Sequence, residues 1–286
     1  KSVSSRDKSF PWNCSALMLV NEQPLREESN MAKSKVAVQE EKDIVVFDAS
    51  MFEQDAGKGL ENIGQEDLAL PFLKVLSRQD PVLDDLDNAK AGDILNTVTN
   101  QVFKGKDGIK VIPCAYQRRF IEWAPRGQGT GAPVNIFTPD QERPETERSK
   151  DDNRDYVVGG NGTYIEETHQ HFVMVIDGDV VTSALIAMKS TQLKKSRKWN
   201  SMIAQRTLMG KNGPFNPPRF SHVYNLKTVS EENSKGSWHG WEISLDGMVD
   251  NGGFYQQAKS FNEQIMAGDV EVKHANDEVG EDDIPF

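Results

Sequence analysis

Residues 172–186 read Phe172-Val173-Met174-Val175-Ile176-Asp177-Gly178-Asp179-Val180-Val181-Thr182-Ser183-Ala184-Leu185-Ile186. Two apolar runs rich in β-branched residues flank an Asp-Gly dipeptide, and both central positions of a type I′ turn need the positive φ that Asp-Gly tolerates. The stretch predicts a β-hairpin turning at Asp177-Gly178. Downstream, residues 219–229 and 238–245 read as a second hairpin joined by residues 233–236. Upstream, residues 94–103, 109–116 and 119–123 read as short strands, separated by Gly105-Lys106-Asp107-Gly108 and by Gln117-Arg118. Residues 68–76 form the first core segment, and residues 127–131 and 138–153 read as polar loops.

Two helices complete the pattern. One is capped by Ser190 or Thr191 and runs to Met209, with Gly210 as its stop. At 100° per residue Lys194, Arg197 and Lys198 share one face of it, while Trp199, Met202 and Ile203 share another. The second spans residues 254–267, carries Phe254, Ala258, Phe261 and Ile265 as a stripe, and ends at Gly268. The expected fold is mainly β (α+β), an OB-like barrel or small β-sandwich with two packed helices and disordered termini.

The boundaries follow composition. Residues 1–66 read as a flexible N-terminal region. Within it residues 1–30 read as translated leader, because Met31-Ala32-Lys33-Ser34-Lys35 is like a bacterial start and Arg26-Glu27-Glu28 is encodable by an all-purine stretch. Residues 67–268 form the β-rich domain and residues 269–286 an acidic tail.

The chain of 286 residues carries 33 Lys and Arg against 44 Asp and Glu, a net charge of −11. An acidic total ordinarily argues against a nucleic-acid partner. Its distribution reverses that inference. Residues 180–230 contain no acid, yet hold Lys189, Lys194, Lys195, Arg197, Lys198, Arg206, Lys211, Arg219 and Lys227. Residues 269–286 set seven acids against Lys273 alone. No run approaches the roughly 18 apolar residues that span a bilayer, so no membrane partner is expected. Cys14 and Cys114 form no CxxC pair, which fits a reducing compartment and no cysteine-based zinc site.

The chain closes on Glu281-Asp282-Asp283-Ile284-Pro285-Phe286. This resembles the C-terminal tip of bacterial single-stranded-DNA-binding proteins, where an acidic tail ends in Asp-Asp-Ile-Pro-Phe. The resemblance covers the tail only and implies recruitment of host or phage replication and repair proteins through Asp282, Asp283, Ile284, Pro285 and Phe286. It implies a single-stranded-DNA partner, an OB-like body and a place in the bacterial host cytoplasm. With no body motif of that family in residues 31–268, it points to a bacteriophage-encoded solution to the same task. The tip's chemistry agrees: Pro285 restricts the backbone, Phe286 supplies an aromatic anchor, and the two aspartates steer onto a basic rim.

Strand-binding surfaces pair cations for phosphates with aromatic platforms for bases. Arg118, Arg119, Trp123 and Arg126 form one interleaved group; Lys189, Lys194, Lys195, Arg197 and Lys198 a second; Lys211, Phe215, Arg219 and Tyr224 a third. Trp199 belongs with the core. The expected activity is sequence-tolerant binding of single-stranded DNA in replication, recombination or repair, with the oligomeric state open. A strand-annealing factor and a replication-associated nuclease using Asp151, Asp152, Asp155 or the His169 region are the alternatives. Catalysis has little basis: there is no P-loop, and His169 and His171 share a strand face near Glu166 and Glu167 without further ligands at metal spacing. The expectation is a protein without catalytic residues or cofactor.

Overall fold

The computed structural model describes residues 49–64, 67–125, 127–128, 132–234, 236–270 and 272. The readings of residues 1–48 and of the tail beyond Val272 fall outside these residues. The chain divides between Ala56 and Gly57 into two units. In the first, the described residues include a short helix, α1 (Ala49–Gln54).

The second unit begins with β1 (Leu73–Val75), a one-turn helix α2 (Val82–Asp85), β2 (Ile94–Asn96) and β3 (Val102–Phe103), whose strands make an antiparallel sheet. It continues through β4 (Ile109–Trp123), β5 (Asn135–Phe137), β6 (Thr146–Arg148), β7 (Asp155–Val157), β8 (Tyr164–Asp177) and β9 (Val180–Lys189). Then come α3 (Leu193–Ala204), a small ribbon of β10 (Leu208–Gly210) and β11 (Gly213–Phe215), the long pair β12 (His222–Asn233) and β13 (Gly236–Met248), and α4 (Gly252–Ala267).

Long strands β4 and β8 pair along their whole length and form the axis of an eight-stranded sheet. At one end of this axis β12 and β13 extend the β4 side and β9 the β8 side; at the other, β5 pairs with β4 and β7 and β6 extend from β8. One face packs against the small sheet and α3 through Leu73, Ile94, Val111, Val173, Ile186, Trp199 and Leu226. The other face packs against α4 through Cys114, Phe172, Leu185, Ala258, Phe261 and Ile265. Among the described residues no helix is long and apolar enough to cross a membrane.

The mainly β expectation holds, and closure into an OB-like barrel does not. The outer strands β13 and β6 remain unpaired with each other. The small sheet bridges across one face without a ladder: Phe72 makes a single parallel bridge to Leu185, and Thr228 N donates to Gly105 O on the far side. That crossing depends on glycine, since a Cβ at Gly105 would overlap the Gly92 carbonyl and the Thr228 hydroxyl.

Several elements differ from expectation. The central hairpin pairs Asp177 with Val180, so Gly178-Asp179 is its two-residue loop and only Gly178 has positive φ (+60°). Glycine at the first loop position is the type II′ arrangement. Residues 109–123 form one strand with no break at Gln117-Arg118; the irregularity lies between Pro113 and Ala115, where Cys114 is the bulged residue. α3 ends at Ala204 rather than Met209, because Leu208 and Gly210 pair with Phe215 and Gly213 in the ribbon and Asn216 Nδ2 donates to Ala204 O. Its N-terminus has a 3₁₀ turn, Ser190–Gln192, and no side-chain cap. The stretch read as loop over residues 138–153 contains β6, and β5 lies between the two stretches read as loop; each is too short to leave an alternation signal. α4 fits its reading: Asn251 caps it by accepting from Gly253 N and Phe254 N (2.8 and 3.2 Å), and Gly268 closes it at φ +88°.

Candidate nucleic-acid interface

The Cys114 bulge decides which β4 side chains meet α3. Before it, Ile109 and Val111 face the α3 side; after it, Tyr116, Arg118 and Phe120 do. Arg119 and Trp123 consequently point to the opposite face, as does Lys189, which lies beside Thr168 in register with Arg119. Of the first two groups of expected DNA contacts, Arg118, Lys194, Arg197 and Lys198 come together, whereas Arg119, Trp123 and Lys189 stand apart on the α4 side.

On the α3 side, Lys194, Arg197 and Lys198 are exposed on the helix's outer face. Arg118 and Arg197 converge on one acceptor, Glu167 Oε1, at 3.0 and 3.5 Å. Burial pushes the Glu167 carboxyl up, but the His169 hydrogen bond and the two arginines outweigh it and hold the group below its usual range. Arg118 also lies 4.8 Å from the centre of the Phe120 ring, whose other cationic neighbour is Arg143 at 3.7 Å. Arg143 was hidden in a stretch that reads as acidic loop, and only the fold brings it here.

Other expected residues are committed elsewhere. Lys195 is paired with Glu231 at 2.6 Å and Lys189 with Glu166 at 3.5 Å. Tyr224 is a core residue, 1% exposed, with its ring edge-on to Trp199; a base cannot stack on it. Arg219 is likewise no surface phosphate contact, since it donates to Asn200 Oδ1 (3.0 Å) and His171 Nδ1 (2.9 Å). Burial pulls its pKa down to about 10, which leaves it charged at neutral pH. Lys211 and Phe215 remain exposed on the β10–β11 ribbon, and the exposed Met209 lies on the face of the ribbon opposite Phe215. Arg126 and the tip residues Asp282, Asp283, Ile284, Pro285 and Phe286 lie outside the described residues.

Beneath the basic surface runs a buried hydrogen-bonded chain that sequence reading missed. His169 and His171 do share a face, but Ser196 of α3 sits between them, its Oγ 2.7 Å from His169 Nδ1 and 2.7 Å from His171 Nε2. His169 Nε2 reaches Glu167 Oε1 at 3.0 Å. Arg219 can only donate, so His171 Nδ1 accepts and its Nε2–H donates to Ser196; the serine hydrogen goes to His169, whose Nε2–H goes to Glu167. Every donor has an acceptor in this one assignment, and both imidazoles are neutral. Burial lowers the pKa of both histidines; the Arg219 charge adds to this at His171, and Arg197 and Arg118 add to it at His169 against the pull of Glu167. His171 further stacks on Trp199 with ring centres 4.6 Å apart. The relay ties the basic helix to the sheet.

Two of the nuclease suspects are engaged as well: Asp152 accepts from the Tyr156 hydroxyl at 2.7 Å and Asp155 pairs with Arg148 at 2.9 Å. No group of three metal-binding side chains occurs among the described residues. In comparisons with known proteins, a family model described as Pam3 phage gp34-like protein matches residues 39–271. No curated protein and no solved structure matches the chain.

Proposed function

The chain belongs to the Pam3 phage gp34-like protein family, and from that premise we propose that it is a phage-encoded protein that binds single-stranded DNA with little sequence preference. The observation that carries the reading is the open cationic surface formed by Lys194, Arg197 and Lys198 on α3 together with Arg118 and Arg143 beside β4. Among the described residues only one carboxylate, Glu167, touches this group of guanidiniums, so their remaining donors are available to phosphates. The ribbon bearing Lys211 and Phe215 is tied to the end of α3 by Asn216 and offers the exposed Phe215 ring as a platform for a base. In this reading the acidic tip recruits replication or repair proteins, as its resemblance implies.

Replacing Lys194, Arg197 and Lys198 together by Ser tests the assignment without touching the core. The account expects weaker binding to an oligothymidylate with an unchanged thermal midpoint; binding equal to wild type would reject this surface. Deleting residues 269–286 should abolish capture of replication or repair proteins and leave strand binding intact or tighter.

A further inference from the structure

Among the described residues, three buried donors lack an acceptor where α3, β12 and the 3₁₀ turn Arg219–Ser221 meet: Trp199 Nε1–H, the Tyr224 hydroxyl hydrogen and Arg219 Nε–H. They belong to one cluster. The Trp199 and Tyr224 rings lie edge-on at 5.9 Å, and the Arg219 guanidinium carbon lies 5.9 Å from the centre of the Trp199 ring. Half-buried Arg206 reaches the Tyr224 hydroxyl oxygen as a donor, which leaves the hydroxyl hydrogen free, and its Nε donates to Met202 O at 3.2 Å.

The unpartnered groups share a chemistry. Indole and guanidinium N–H groups only donate, and the Tyr224 hydroxyl, which burial keeps protonated, is free to donate. Neither Arg206 nor Arg219 has a carboxylate partner among the described residues; the terminal nitrogens of Arg219 meet the neutral Asn200 and His171. Buried polar groups in folded proteins are nearly always satisfied, and a buried cation without a counter-charge is costly. Water answers the first demand and not the second. An anion with several acceptor oxygens answers both.

We propose that this cluster is an anion pocket for a phosphate group, with Arg206 and Arg219 supplying charge and Tyr224, Trp199 and Arg219 Nε donating to its oxygens. The pocket lies on the inner side of α3 and goes beyond the strand-binding surface on its outer side. Free phosphate and the terminal phosphate of a nucleic-acid strand present the same group.

The test uses the full chain with inorganic phosphate as probe at constant ionic strength. Phosphate should raise the thermal midpoint where chloride does not, and it should shift the indole N–H resonance of Trp199 in a nitrogen-proton correlation spectrum. Tyr224→Phe, which removes one hydroxyl, and Arg206→Gln, which removes one charge, should each weaken the apparent phosphate affinity by about tenfold or more. Absence of both the midpoint rise and the indole shift overturns the pocket, as does a response unchanged in both variants. Oligothymidylates with a 5′-phosphate or a 5′-hydroxyl separate the sources. Tighter binding of the phosphorylated strand, lost in Tyr224→Phe, assigns the strand end; equal binding of the two strands with the inorganic phosphate response present assigns free phosphate. Failure of all oligonucleotide binding with that response intact rejects the strand-binding reading and upholds the pocket.

Discussion

Ser196 is a small residue with a large structural burden. It is fully buried, accepts from one histidine and donates to the other, and so joins an arginine on the 3₁₀ turn to a glutamate on β8. Ser196→Ala leaves a buried donor on His171 and a buried acceptor on His169, and should cost about 2–6 kcal/mol of stability at 1–3 kcal/mol for each group left unsatisfied. Urea unfolding measures this directly; a loss below about 0.5 kcal/mol, the size of an ordinary surface effect, would show that the relay contributes little. The same residues set a pH dependence. His169, His171 and His222 all have folded pKa values below the ordinary 6.5. Below that value the unfolded chain binds more protons than the folded one, so stability is full above about pH 6.5 and falls as the pH drops further. Glu167 acts in the same direction at lower pH, because its folded pKa is also depressed. Unfolding free energies that stay flat between neutral pH and pH 5 would contradict neutral, buried histidines.

At the scale of elements, α4 and the central hairpin were legible because their signals are local. Asn251 and Gly268 bracket a clean apolar stripe, and Asn251→Ala should destabilise the protein by about 1 kcal/mol in thermal or urea unfolding, with no change in strand binding. A wild-type midpoint in that variant would mean the cap is not used. β4 was legible as strand and illegible in phase. Pro113 hinted at an irregularity, but nothing in the sequence says that Cys114 is the bulged residue, and that one residue decides whether Arg118 or Arg119 faces the basic helix. α3 was read too long because Leu208 and Met209 continue an apolar period; their pairing with β11 is a non-local contact that outweighs it. Ser196 and Arg143 carried no signal at all, since their roles depend on histidines 25 and 27 residues away and on a phenylalanine across a loop. Glu167, His169 and His171 did show their shared face, and only their joining residue was missing.

For the whole molecule, the net charge of −11 averages an acid-free run over residues 180–230 with acid-rich sequence elsewhere. The fold sorts the nine cations of residues 180–230 unequally: Lys189 and Lys195 are held by glutamates, Arg206 and Arg219 turn inward, Lys227 is half-buried, Lys194, Lys198 and Lys211 stay exposed, and Arg197 is exposed beside Glu167. Arg118 and Arg143 add to the open set from outside that run. With about five of these contacting phosphates, single-strand binding should weaken with salt at a slope near −3.5 in log K per log salt, at about −0.7 per contact. Fluorescence polarisation of a labelled oligothymidylate across a salt series, alongside a duplex of equal length, is the most direct measurement. The account predicts that slope, a preference for the single strand, and a slope reduced by about 2 in the Lys194, Arg197 and Lys198 triple variant, again at about −0.7 per contact. A slope near zero, or one unchanged in the triple variant, would contradict it.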